Sequence, residues 1–186
     1  ATLTRNNTDA IEYLLPLSRE LGFMLDVCFL YSSVFGKSTK DLALDDSKML
    51  NILKTLIKNK SEGYPVFFSD STLEYALRWP VSYKKTYLKD EEIPKGFKPI
   101  ICYWGDSICV LDADGMLYPC VPINEEFSPL NVLEVGFQKA WDNLKNKNCR
   151  TCYHLSNNEY SQFFSLNPSA WADLIKSNLR DVLGIY

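Results

Sequence analysis

The chain has 186 residues, 46% hydrophobic and 23% charged, near the averages of globular proteins and long enough to bury a core. Its 20 Lys and Arg against 23 Asp and Glu leave a net charge of −3, without the basic excess that a phosphate backbone draws, so nucleic acid is not an expected partner. The longest apolar runs, such as residues 22–31, are about ten residues and contain Asp26, short of the ~20 that a membrane-spanning helix needs.

The N-terminus shows no basic stretch followed by an apolar core, so no signal peptide is expected, and a cytoplasmic, reducing setting follows. Six cysteines are too few for a disulfide scaffold. In a reducing compartment, clustered cysteines point to metal binding or redox work.

Residues 2–4 read as a strand, and a chain that opens inside a strand is expected to be part of something longer. Residues 9–21 carry Ile11, Leu14, Leu15, Ser18 and Leu21 at helical spacing, with Gly22 suited to close the helix and Pro16 expected to bend it or shift its boundary. The near-continuous apolar run 23–31 reads as a buried strand. Asp45 or Asp46 opens a helix to about residue 60, with Met49, Ile52, Leu53 and Leu56 on one face; residues 66–68 form a short strand and 71–78 a short helix. Strand and helix alternating in this way predict an α/β segment of about three parallel strands with crossover helices over residues 1–80. Three strands are too few to close a barrel, so this is expected to be part of a larger α/β domain. Residues 81–98, Lys-rich and set among Pro80, Pro94 and Pro99, read as a solvated linker, and residues 99–186 as a second, cysteine-rich α+β unit ending in a helix.

In that unit, Asp114-Gly115 between two apolar runs predicts a β-hairpin. Asp112 and Asp114 share the start of a calcium loop, but the other oxygen ligands and the closing Glu are missing. Cys149 and Cys152 form a CxxC, a half-site that grips one metal or cluster from one side. Its place after an expected helix, at residues 136–147, argues against a thioredoxin-type redox pair. Cys120 and either Cys102 or Cys109 would complete a four-thiolate set. With a two-residue turn, Cys109 faces Cys120; a shift of one residue turns it to the other face, as a small apolar core residue. Spacing alone leaves both open. His154 reads as a neighbour of the site rather than a ligand, and Cys28 as core.

The pattern of Cys102, twelve residues, Gly115, four residues, Cys120, then Cys149 and Cys152 resembles the auxiliary-cluster (SPASM or twitch) extension of radical S-adenosylmethionine (radical SAM) enzymes. The Asp-Gly hairpin, the Pro-Cys after it and Trp141 ahead of the CxxC carry the likeness over residues 99–160. A looser likeness covers residues 1–80, which look like the last third of such a partial barrel. The resemblance implies Cys102, Cys120, Cys149 and Cys152 as ligands of one auxiliary [4Fe–4S] cluster, with Cys102 preferred because Cys109 stands too near Gly115. It implies that the Leu30 and Tyr31 region helps hold the adenosyl part of S-adenosylmethionine. The catalytic CxxxCxxC is not in this sequence, and Asn158 stands where a further cysteine of the two-cluster version would fall. The chain is therefore expected to be a C-terminal part of an oxidoreductase, not competent alone. S-adenosylmethionine and a second [4Fe–4S] cluster would belong to the complete protein. Its implied partners are the N-terminal part of the barrel, a peptide or small-molecule substrate and a reductant protein. Four zinc-bound thiolates stapling a non-enzymatic structural or partner-binding domain form the competing reading.

Overall fold

Amphipathic spacing builds the first half of the molecule, and the computed structural model describes residues 1–30 and 41–183. Strand β1 (Thr2–Leu3) leads into helix α1 (Ala10–Leu21), which buries Ile11, Leu15 and Ser18. The helix ends at Gly22, whose φ of 69° is open to glycine without a Cβ penalty. It spans Pro16 without the expected shift of boundary. Pro16 lies on the exposed side, where the helical bond its missing N–H cannot make to the Glu12 carbonyl is open to solvent.

Strand β2 (Cys28–Phe29) runs parallel to β1, with Thr2 opposite Cys28 and Leu3 opposite Phe29. Helix α2 (Asp46–Ser61) is capped by Asp45, whose side chain accepts the Lys48 N–H at 2.8 Å. Val66 then bridges in parallel to Leu25, and Ser69 caps helix α3 (Asp70–Leu77). Two short parallel strands and one parallel bridge at Val66 thus alternate with helices; the expected strands at residues 23–31 and 66–68 shrink to Cys28–Phe29 and to that single bridge. The sheets of the molecule have two or three strands each, and none closes.

The stretch 81–98 departs from a solvated linker. Tyr83, Thr86 and Leu88 are buried, and β3 (Tyr87–Leu88) pairs antiparallel with β7 (Thr151–Cys152), placing Tyr87 opposite Cys152. One apolar core runs from Leu3 through Phe29, Leu53 and Phe68 to Leu88, Tyr153 and Leu155, so the CxxC strand packs on the same interior as the parallel segments.

Strands β4 (Val110–Leu111), β5 (Met116–Tyr118) and β6 (Leu130–Asn131) form an antiparallel sheet. Helices α4 (Val132–Val135) and α5 (Phe137–Asn143) follow, and Leu117, Ala140 and Leu144 make a small second core. After β7 come α6 (Leu155–Phe164) and α7 (Pro168–Leu183). Among the described residues no helix is long and apolar enough to cross a membrane.

Candidate metal centre

The hairpin decides which cysteine faces which. Val110 pairs with Tyr118 and Leu111 with Leu117, and the Asp112 N–H donates to the Met116 carbonyl at 2.9 Å. The loop is therefore Ala113-Asp114-Gly115, three residues long, with Gly115 at φ 87°. This register carries Cys109 opposite Pro119 rather than Cys120. Cys109 packs beside Leu117, Ala140 and Leu144, and burial alone raises its thiol pKa.

The other four candidate cysteines come from three segments. Cys120 follows β5 and is buried at the start of a short 3-10 turn. Cys152 is buried in β7, and the Asn158 side chain donates to its carbonyl at 2.8 Å. The segment bearing Cys102 is tied to α6: the Tyr103 N–H donates to Ser161 Oγ at 3.3 Å, and Trp104 Nε1 donates to the Asn157 carbonyl at 3.2 Å.

Their thiols also act on one another electrostatically. Burial first, then the charges of Cys102 and Cys120, holds the Cys152 thiol well above its ordinary pKa, with Cys149 adding to the same effect. Burial, then Cys149 and Cys102, pushes Cys120 up. Burial, then Cys102, brings Cys149 up to about 11. Opposing these are backbone amides, His154 toward Cys152 and Ile123 toward Cys120, and the Lys147 ammonium toward Cys149 and Cys120. Cys102, Cys120, Cys149 and Cys152 thus share one field, and Cys109 does not enter it. Among the described residues no three His, Cys, Asp or Glu side chains are gathered tightly enough to hold a metal ion. A field reaches further than ligation, so the two observations describe one loose group of thiols. A tetrahedral zinc with Zn–S of about 2.3 Å would require its sulfurs to close to about 3.8 Å.

The donor chemistry fits a thiolate-bound metal or iron–sulfur group: four soft ligands from three segments, two of them buried, with amides and one cation favouring the thiolate form. Asn157 adds a buried Nδ2 donor without a hydrogen-bond partner among the described residues, and its backbone joins His154 and Trp104. His154 is placed differently. Its Nδ1 accepts the Asn157 N–H at 3.3 Å and caps α6, and burial brings its pKa down to about 4.

Above the parallel segments lies a cavity of about 430 Å³, whose lining includes Arg5, Leu30, Asp45, Met49, Tyr83 and Tyr153. It sits beyond the carboxyl ends of β1 and β2, where open α/β sheets bind ligands. Leu30 is held there by donating its N–H to the Leu3 carbonyl at 3.0 Å, whereas Tyr31 lies outside the described residues. Tyr153, one residue after Cys152, donates its hydroxyl to the Tyr83 carbonyl at 2.7 Å, so the cavity wall and the CxxC strand are continuous. Tyr75 of α3 joins from the first half through a hydrogen bond with the Thr151 hydroxyl at 2.5 Å. Sequence reasoning did not single out Tyr75, Tyr153 or Lys147. Only the positions of Lys147 and Tyr153 beside the CxxC were a signal. Among known proteins the chain matches no family model, no curated sequence and no solved structure.

Proposed function

We propose that the chain forms the auxiliary-cluster region of a radical SAM oxidoreductase acting in a reducing, cytoplasmic compartment, with Cys102, Cys120, Cys149 and Cys152 holding one [4Fe–4S] cluster. The supporting observation is the hairpin register, which sets Cys109 opposite Pro119 and toward the small second core, while the segments of Cys102 and the CxxC are tied by Lys147. The parallel α/β half and the cavity beside Leu30 agree with a partial barrel in which S-adenosylmethionine and substrate would meet. When bound, such a cluster supplies a one-electron carrier close to the substrate.

The chain's own residues give that carrier its surroundings. Cys120 and Cys152 come from buried positions that limit solvent. The amides of Ile123 and His154 favour the thiolate form at two of the four sulfurs, and the β3–β7 pairing fixes the strand from which Cys152 projects. With all four thiolates engaged, no ligand position remains for substrate, so electron transfer or a structural role is preferred over Lewis-acid chemistry.

The test is iron, acid-labile sulfide and zinc per chain after anaerobic reconstitution. About four irons and four sulfides are expected in the wild type and in Cys109→Ala, with loss in Cys102→Ala and in the Cys149→Ala/Cys152→Ala double variant. Loss in Cys109→Ala with retention in Cys102→Ala overturns the ligand set. One zinc without sulfide uptake overturns the cluster reading in favour of a structural staple.

A further inference from the structure

Three segments that bear the candidate ligands touch at Gly105. It follows Cys102 by three residues, is buried and has a φ of 85°. A Cβ built there would stand 3.0 Å from Cβ of Pro119, the residue before Cys120. It would also stand 3.2 Å from Cδ and 3.3 Å from Nζ of Lys147, two residues before Cys149. A side chain here would be strained at this φ and would press the Lys147 stem and Pro119 back by a few tenths of an ångström. The Lys147 side chain is 14% exposed, and its ammonium donates to the Trp104 carbonyl and to Asp106 Oδ2, the latter at 2.8 Å. Both acceptors belong to the segment of Cys102, so one cation fastens that segment to the CxxC segment across 41 to 43 positions of sequence.

We propose that Lys147 is a positioning residue of the four-thiol site, clasping the Cys102 segment to the CxxC segment and holding a sheltered positive charge beside the thiolates. The inference rests on the metal-site reading above. Four thiolates concentrate negative charge in a buried place, and a nearby cation offsets part of it. For a redox group the reduced state carries one more negative charge, so the cation stabilises it more than the oxidised state and raises the reduction potential. Arginine at this position would keep the charge, while glutamine would keep much of the length and lose it.

The experiment compares wild type, Lys147→Gln and Lys147→Arg after anaerobic reconstitution, reading chelator resistance and the midpoint potential. Lys147→Gln is expected to lose metal about ten- to a hundred-fold more readily, the usual effect of removing a supporting partner around a metal site, and to titrate at a more negative potential. Lys147→Arg is expected to stay near the wild-type potential, a rescue that a packing role alone would not give. Wild-type resistance and potential in Lys147→Gln overturn the inference. If Lys147→Gln does not fold by far-ultraviolet circular dichroism, Asp106→Asn reads the clasp from its half-exposed partner: faster metal loss supports it, and unchanged loss overturns it. A wild-type chain that takes up no metal overturns the metal-site reading itself, an outcome distinct from a loaded wild type that Lys147→Gln matches.

Discussion

Nδ1 of His154 is occupied by the start of α6, where it accepts the Asn157 N–H. With its pKa held near 4 by burial, the ring is neutral at pH 7, and Nδ1 serves as an acceptor rather than a protonated donor. A capping side chain contributes about 1 kcal/mol, so His154→Ala is expected to cost about 1–2 kcal/mol in chemical denaturation. His154→Asn, which brings another capping group, is expected to recover part of that loss. Neither substitution should change the metal content, and loss of metal in both would make His154 a ligand. A sequence offers only a lone histidine two residues beyond a CxxC. Whether it caps or coordinates depends on the turn into α6, which is why the residue reads as a neighbour from spacing and its acceptor role becomes visible only in the fold.

Hairpin register shows the same dependence at the level of elements. An Asp-Gly between apolar runs announces the turn, but two- and three-residue loops share that signature and place Cys109 on opposite faces. Asn131 bears on the longer form. Its Nδ2 donates to the Asp114 carbonyl at 2.9 Å, and its Oδ1 accepts the Leu133 N–H at 2.9 Å, joining the loop to β6 and α4. A Cβ on Gly115 would approach Asn131 Oδ1 to 2.8 Å, at a φ of 87° that L side chains rarely adopt. Gly115→Ala is therefore expected to destabilise the protein by about 1–3 kcal/mol in a denaturant titration; a change under about 0.5 kcal/mol would show that neither the strain nor the contact matters. The helices of the first half were legible because their buried residues recur at helical spacing behind capping residues such as Asp45. Strand β3 was not. Its partner β7 lies more than 60 residues away, and its buried Thr86 and Leu88 sit among exposed lysines that read as solvated chain.

Across the whole molecule, α6 joins the cysteine-rich part to the parallel α/β half through a buried polar face. Gln162 Nε2 donates to Thr72 Oγ1 at 2.7 Å, and Glu159 Oε2 accepts both the Ser69 N–H at 2.9 Å and the Ser69 hydroxyl at 2.8 Å. Glu159 is 1% exposed and stands against the N-terminus of α3, so the carboxylate meets favourable donors in a place that disfavours its charge. Burial dominates and raises its pKa above the ordinary 4.5, against the hydrogen bonds from Thr72 and Ser69 and the charge of Lys60, which itself pairs with Asp173 at 3.6 Å. A carboxyl whose folded pKa is raised contributes stability that is full below about 4.5 and is lost as pH rises through the folded value. Glu159→Gln keeps an acceptor for Ser69 and removes the titration. Stability of Glu159→Gln relative to wild type is therefore expected to increase as pH climbs from about 4.5 and to level off once Glu159 has ionised. Asp45, Glu92 and Asp142, whose pKa values are lowered by hydrogen bonds, pull the other way in both proteins and cancel in the difference. A difference that stays flat between pH 4 and 8 would mean that the ionised carboxylate is fully compensated by Ser69, Thr72 and Lys60. The joint between the two halves would then be an electrostatically neutral contact rather than one strained by its own charge.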